Sequence, residues 1–306
     1  MILCCGEALI DLIPQGDTRV PHVGGAVLNT AVALGRLGEE VAMLTGLSSD
    51  EYGALIEEHG RQSHVDFAPS VRSDRSTTLA VVTLVDGQAT YDFRDDGSAL
   101  RDIAPGDMAP PPDGTQAMLF GGISLINPPV ADSFAHYCRR NADGALVMID
   151  VNIRPDFITD PIAYRARLGA MIAVADIIKV SDEDLAWLLP DTGAMEDAFA
   201  TMFDLGPQMV VMTRGANGAI AVMRSGLTVE VDSPPAHVAD TVGAGDTFNA
   251  GLLSGLRRAG RLDKAQLPAI TEIELSEALS LGTRAASVTV SRAGANPPWA
   301  QDLNLM

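Results

Sequence analysis

Short apolar runs alternate along the chain with stretches of helical period. Ile2–Cys5, Val41–Thr45, Ala117–Phe120, Ala145–Ile149, Asp176–Lys179 and Met209–Thr213 are runs of the kind that form strands covered on both faces in a parallel sheet. Helical segments separate most of them, as where Val27, Ala31, Leu34 and Leu37 recur on one face and Gly38 closes the run. The alternation has no fixed-period repeat and no low-complexity linker. It predicts one α/β domain over residues 1–306: a doubly wound, mostly parallel central sheet flanked by helices. One region departs from it. Thr77–Val85, the dipeptide Asp86-Gly87 and Gln88–Arg94 read either as a β-hairpin standing outside the main sheet or as ordinary edge strands.

Composition narrows the function classes. A chain of 306 residues with 47% apolar content can bury a large core. The formal charge of −19, from 21 basic and 40 acidic residues, argues against nucleic acid or an anionic membrane surface as partner, since both require basic faces. Three cysteines, two of them adjacent in the first run, suggest neither a disulfide framework nor a zinc site and fit a reducing compartment. The chain opens without a basic segment leading into a long apolar run, and no stretch of about 18 uninterrupted apolar residues follows. A cytoplasmic enzyme is expected.

The chemistry concentrates in Asp240-Thr-Val-Gly-Ala-Gly-Asp246-Thr-Phe-Asn-Ala-Gly251, a small-residue turn running into a helix. Gly243, Ala244 and Gly245 let backbone N–H groups crowd around an anion, and the helix adds its positive end. Asp246 stands where it can accept a proton from an attacking hydroxyl while those amides hold a phosphoryl group. The bare Gly-Ala-Gly-Asp turn also suits a plain strand-to-helix connection. In the N-terminal half, Gly24-Gly25 precedes a helix carrying Asn29 one turn in, where Asn is mildly unfavourable and suggests a hydrogen bond to a ligand or a neighbouring loop. Ile2–Cys5 ends at Gly6-Glu-Ala-Leu-Ile-Asp11, and ligands gather beyond the carboxyl ends of parallel strands.

The twelve-residue string resembles the second signature of the PfkB carbohydrate kinases, the ribokinase-like family, and Gly24–Gly38 resembles the first. The likeness runs over nearly the whole chain. It implies an ATP-dependent sugar kinase, with Asp246 as base, Gly243 to Gly245 as anion hole, and sugar held by Asp11, Gly24, Gly25 and Asn29. It also implies a β lid, made by about residues 12–23 and 76–100, that closes over the sugar and excludes water. Lid-mediated homodimers belong to the same expectation.

The nucleotide side is sparser. Thr213-Arg-Gly215-Ala-Asn-Gly218 resembles the family's loop near the ATP phosphates, although alone it fits any hairpin turn. Lys179, ending a strand, either meets a phosphate or reaches out to solvent. Where the family has Asn-x-x-Glu, linked to Mg²⁺ and phosphate, this chain has Ser181 and Asp184, with capping-box spacing. Asp184 is the candidate to order water around Mg²⁺, which is expected to arrive mainly with ATP. The resemblance also implies a monovalent cation such as K⁺ between the segment from Asp240 to Val242 and the loop near Ser291 to Gly294.

Asp150-Val-Asn152-Ile-Arg154-Pro, Ser291–Pro298 and the opening Gly-Glu-Ala-Leu-Ile-Asp resemble the fructokinase branch. Asn152 would then orient substrate or metal-bound water, or fix the local turn. Arg94 and Arg154 are the specificity candidates: a guanidinium binds sugar hydroxyls but suits a carboxylate or phosphate better, so a 2-keto-3-deoxygluconate kinase is the nearest rival, with a phosphosugar or nucleoside kinase behind it. Salt bridges to local acids are the alternative for both. A sugar-binding regulator without turnover is disfavoured by the intact Asp246.

Overall fold

The computed structural model describes residues 1–85, 88–190, 192 and 194–305. A nine-stranded sheet runs through it. From one edge to the other the strands are Thr228–Val231, Ala219–Met223, Met209–Thr213, Ile177–Ser181, Leu146–Asp150, Ala117–Gly121, Ile2–Cys5, Val41–Leu44 and Val65–Asp66. The first three pair antiparallel and every other neighbour pairs parallel.

Period-two side-chain alternation sends these strands into two cores. Ile2 and Cys4 join Ala117, Leu119, Leu146 and Met148 on one face, covered by the helices Ala26–Arg36, Ala244–Arg258 and Glu272–Val290. Leu3 and Cys5 join Met118, Phe120, Val147 and Ile149 on the other, covered by Val130–Asn141, Pro161–Ile172 and Met195–Leu205. Burial on both faces explains why the strands read as unbroken apolar runs. No helix among the described residues is long and apolar enough to cross a membrane.

A second sheet of four strands stands apart from the first, in the order Thr18–Gly24, Leu9–Gln15, Leu79–Val85, Gln88–Arg94. Leu79–Val85 and Gln88–Arg94 form the antiparallel hairpin read from the sequence, and the Asp86-Gly87 turn lies outside the described residues. Leu9–Gln15 pairs antiparallel with Thr18–Gly24 and parallel with Leu79–Val85, and so is the strand joining the two hairpins.

Two small-residue contacts fix the helix that opens at Gly243. A Cβ on Gly251 would fall 2.7 Å from the Cα of Gly282, and one on Gly255 would fall 2.5 Å from the Cα of Ala278. The Ala244–Arg258 and Glu272–Val290 helices therefore lie backbone to backbone, which sets where the first presents its N-terminus.

Candidate active site

The carboxyl ends of the parallel strands converge on that N-terminus. Gly243 caps the helix at φ +78°, a left-handed conformation natural to glycine, and a Cβ there would come within 2.8 Å of the Ala295 Cβ. Asp246 follows three residues later and is 8% exposed. Asn29 Nδ2 donates to Asp246 Oδ2 at 2.9 Å, and the Thr30 hydroxyl donates to the Asp246 carbonyl at 3.2 Å. Burial pushes the Asp246 carboxyl up to about 7, opposed by the Asn29 bond and reinforced by the Asp150 charge. A carboxylate with that affinity can take a proton from a hydroxyl near neutral pH.

Lys179 approaches from the sheet. Its Nζ lies 3.3 Å from where a Gly245 Cβ would stand and donates to Asp150 Oδ1 at 3.0 Å, with both side chains buried. Burial alone would lower the lysine's pKa, but Asp150 and Asp184 outweigh it and raise the pKa, so the ammonium stays charged. A helix N-terminus and an ammonium thus meet beside a buried carboxylate, although the Ala244 N–H of the expected anion hole is already taken, donating to Thr241 O at 3.3 Å. Lys179 does not reach for solvent, because Asp150 stands opposite it in register on the neighbouring strand.

A cavity of about 120 Å³ is lined by Asp11, Gly25, Asn152, Arg154, Phe93 and Glu7. It adjoins a larger cleft of about 590 Å³ that shares Asp11 and includes Gly24, Asn29, Asp240 and Val242. The Asp11 carboxyl occupies the space a side chain on Gly24 would need, 2.2 Å from its would-be Cβ. Burial lifts Asp11 to about 6, with the His22 charge opposing. Asn152 is held at φ +40°, an uncommon backbone state for a residue with a side chain. Arg154 donates to its own neighbour's carbonyl, Ile153 O, at 3.0 Å and pairs with no acid among the described residues. Phe93, from the small sheet, packs edge-on against Phe157 with centroids 4.5 Å apart.

Other residues singled out in the sequence lie differently. Arg94 is 63% exposed and pairs with Asp92, not Asp95 or Asp96, and it does not line the cavity; strand alternation turns it away while its neighbour Phe93 faces in. Both Asp184 oxygens accept backbone bonds, from Ile153 N at 2.7 Å and Ser181 N at 2.9 Å, so this carboxylate caps its helix and holds the strand-end loop that carries Arg154. Thr213, Gly215 and Gly218 form the tight link between two antiparallel strands, where a Cβ on Gly218 would strike Val231 O. Asp240 ties two segments together, accepting from Val242 N at 3.0 Å and Gly294 N at 2.9 Å. Ser291 caps the last long helix, its hydroxyl donating to Val288 O.

Glu7 and Asn249 escaped the sequence reading as functional candidates, and Asp150 reads there only as a residue at the sheet's ligand edge or in a local turn. Glu7, 1% exposed, accepts from Ser124 N, and burial raises its pKa. Asp150 bonds Lys179, and Asn249 Nδ2 donates to the other Asp150 oxygen at 2.6 Å. A signal existed for Asp150. An acid and a lysine ending two successive apolar runs are neighbours if the strands are adjacent.

A buried carboxylate at a helix N-terminus beside an ammonium, on a doubly wound sheet, is the arrangement that a phosphoryl-transfer enzyme of the sugar-kinase type needs. The pfkB family carbohydrate kinase pattern matches residues 1–302. A fructokinase of Rhizobium leguminosarum bv. trifolii is 43% identical over 89% of this chain and 84% of its own. The crystal structure of fructokinase with bound ATP from Xylella fastidiosa superposes with a TM-score of 0.89 at 27% identity, covering 99% of this chain and 97% of the other. A double mutant of fructokinase from Vibrio cholerae O395, in its fructose, ADP and potassium ion bound form, gives a TM-score of 0.83 at 25% identity over 96% and 93% of the two chains. The chain belongs to the pfkB family of carbohydrate kinases, phosphotransferases whose acceptor is an alcohol group.

Proposed function

We propose that this protein is a fructokinase, transferring the γ-phosphate of ATP to a hydroxyl of D-fructose. The observation that carries the chemistry is Asp246, buried and bonded to Asn29, beside the Gly245 amide and the Lys179 ammonium. Fructose as acceptor rests on the likeness to the Rhizobium fructokinase. Sugar would lie against Asp11, Gly25 and Asn29, with Asn152 and Arg154 lining the same cavity as Asp11 and Gly25. Asp246 orients one hydroxyl and takes its proton late in a loose transition state, which a modest base suffices to do. The helix N-terminus and Lys179 bind the transferring group.

The four-stranded sheet serves as the lid of a single domain, and Phe93 against Phe157 is its contact with the loop that carries Arg154. Closing it excludes water that would otherwise take the phosphoryl group. Thr18–Gly24 is an outer strand of that sheet with most of its residues exposed or half-buried, which supports pairing with a second copy into a homodimer.

Mg²⁺ prefers phosphate and water oxygens, and with both Asp184 oxygens taken by backbone bonds it would enter bound to ATP, whose phosphate charge it would neutralise. The same reading puts a monovalent cation such as K⁺ between the Asp240–Val242 segment and the loop from Ser291 to Gly294, which the Asp240 carboxylate draws together. Buried unpaired Cys4, Cys5 and Cys138 support a reducing cytoplasm.

A coupled ADP-release assay with Mg·ATP tests this across fructose, ribose, adenosine, 2-keto-3-deoxygluconate and fructose 6-phosphate, with and without K⁺. Fructose is expected to be strongly preferred. Preference for the keto-acid, which the unpaired Arg154 would favour, overturns the substrate and keeps the kinase; no turnover with any of them overturns both.

A further inference from the structure

Asn249 lies one helical turn beyond Asp246 and points to the sheet instead of to Asn29. Its Nδ2 donates to Asp150 Oδ2 at 2.6 Å, and the other oxygen of Asp150 receives Lys179 Nζ at 3.0 Å. All three side chains are buried, and no described group donates to Asn249 Oδ1. The chain of contacts thus runs from the catalytic helix to one strand, then to the next, and ends 3.3 Å from the would-be Cβ of Gly245.

A lysine has a flexible four-carbon stem, and its ammonium settles wherever the nearest anion holds it. A carboxylate alone turns freely about its side-chain bonds. Once one oxygen is tied by Asn249, the other is fixed. Resting on the phosphotransfer reading, we propose that Asn249 is a positioning residue: by holding one oxygen of Asp150 it aims the other at Lys179 and so stations the ammonium beside Gly245, where nucleotide phosphate enters. Asp246 and Asn249 then divide one helix face between them. The first serves the acceptor hydroxyl and the second, through two intermediaries, the donor phosphate.

A double-mutant cycle separates this from simple satisfaction of a buried acid. Asn249→Ala is expected to lower kcat/KM for ATP by roughly 10- to 100-fold, the loss of one hydrogen bond to a charged group, with the fructose dissociation constant unchanged. Lys179→Met is expected to lower it at least as far. The double variant should equal Lys179→Met alone, because Asn249 has nothing left to position. Asn249→Ala within twofold of the parent, or losses that multiply in the double variant, would overturn the proposal. Should Asn249→Ala fail to fold, Asn249→Ser carries the same cycle. Repeating the cycle on MgADP dissociation constants by calorimetry needs no turnover. A parent protein inactive on every sugar would therefore sink the fructokinase reading, while the coupling between Asn249 and Lys179 would still be decided.

Discussion

Asn29 Nδ2 lies 2.9 Å from Asp246 Oδ2, a bond between residues 217 positions apart that ties the helix after Gly24-Gly25 to the proposed base. The amide donates to the ionised carboxylate and so works against the burial that raises its pKa. Asn29→Ala should therefore raise the pH at which activity appears and also weaken sugar binding. A pH–rate profile whose acid limb stays in place would refute the link.

Asp246→Asn should cut kcat by about 10²- to 10⁴-fold, the usual contribution of a positioned base, while fructose binding is retained. Calorimetric titration with fructose beside the ADP-release assay checks both halves. Unchanged turnover would remove Asp246 from its role.

The pH dependence follows from the same group. Because Asp246 titrates at about 7 in the folded protein, kcat/KM should fall tenfold per unit as pH drops below that value. Stability runs the other way: a raised carboxyl pKa stabilises the fold fully below about 4, the ordinary aspartate range, and that contribution is lost as pH climbs through about 7. Asp246→Asn should consequently melt higher than the parent at pH 8, by a margin that shrinks towards pH 4. An equal margin at both pH values would contradict the assigned shift.

Two glycines of the turn should respond differently to alanine. Gly243→Ala forces a side chain into φ +78° and against Ala295, a strain of about 1–3 kcal/mol, and should lower the melting temperature as well as activity. Gly245→Ala meets only the movable end of Lys179, at 3.3 Å, so the fold should survive. Its kcat/KM for ATP should still fall roughly tenfold or more, since the ammonium is displaced. Melting curves and kinetics on the pair distinguish fold from function.

The two candidate arginines also separate. Arg94 is exposed and bound to Asp92, so Arg94→Ala should change kinetics by less than about twofold. Arg154→Ala, inside the cavity, should raise the KM for fructose by roughly tenfold or more. Equal effects would mean that the small sheet brings Arg94 into the site on closure.

The sheet, its helices and the turn at Gly243 to Asp246 are legible in the chain itself, because buried parallel strands must be apolar throughout and an anion-binding turn must be small. That Asp11, Gly25 and Asn29 line clefts was readable for a related reason: each stands near the end of a strand or the start of a helix, at the edge of the sheet where crevices form. What Lys179, Asp150 and Asn249 do depends on which strands are neighbours and how closely two helices approach through Gly251 and Gly255. No local pattern encodes that. Arg94 and Arg154 are alike as letters, yet strand alternation turns one outwards while the Asp184 cap holds the other's loop at the cavity. Local propensity and pattern specify the elements; only packing decides which side chains share a buried space, and there the dielectric makes an ammonium, two carboxylates and an amide act as one site.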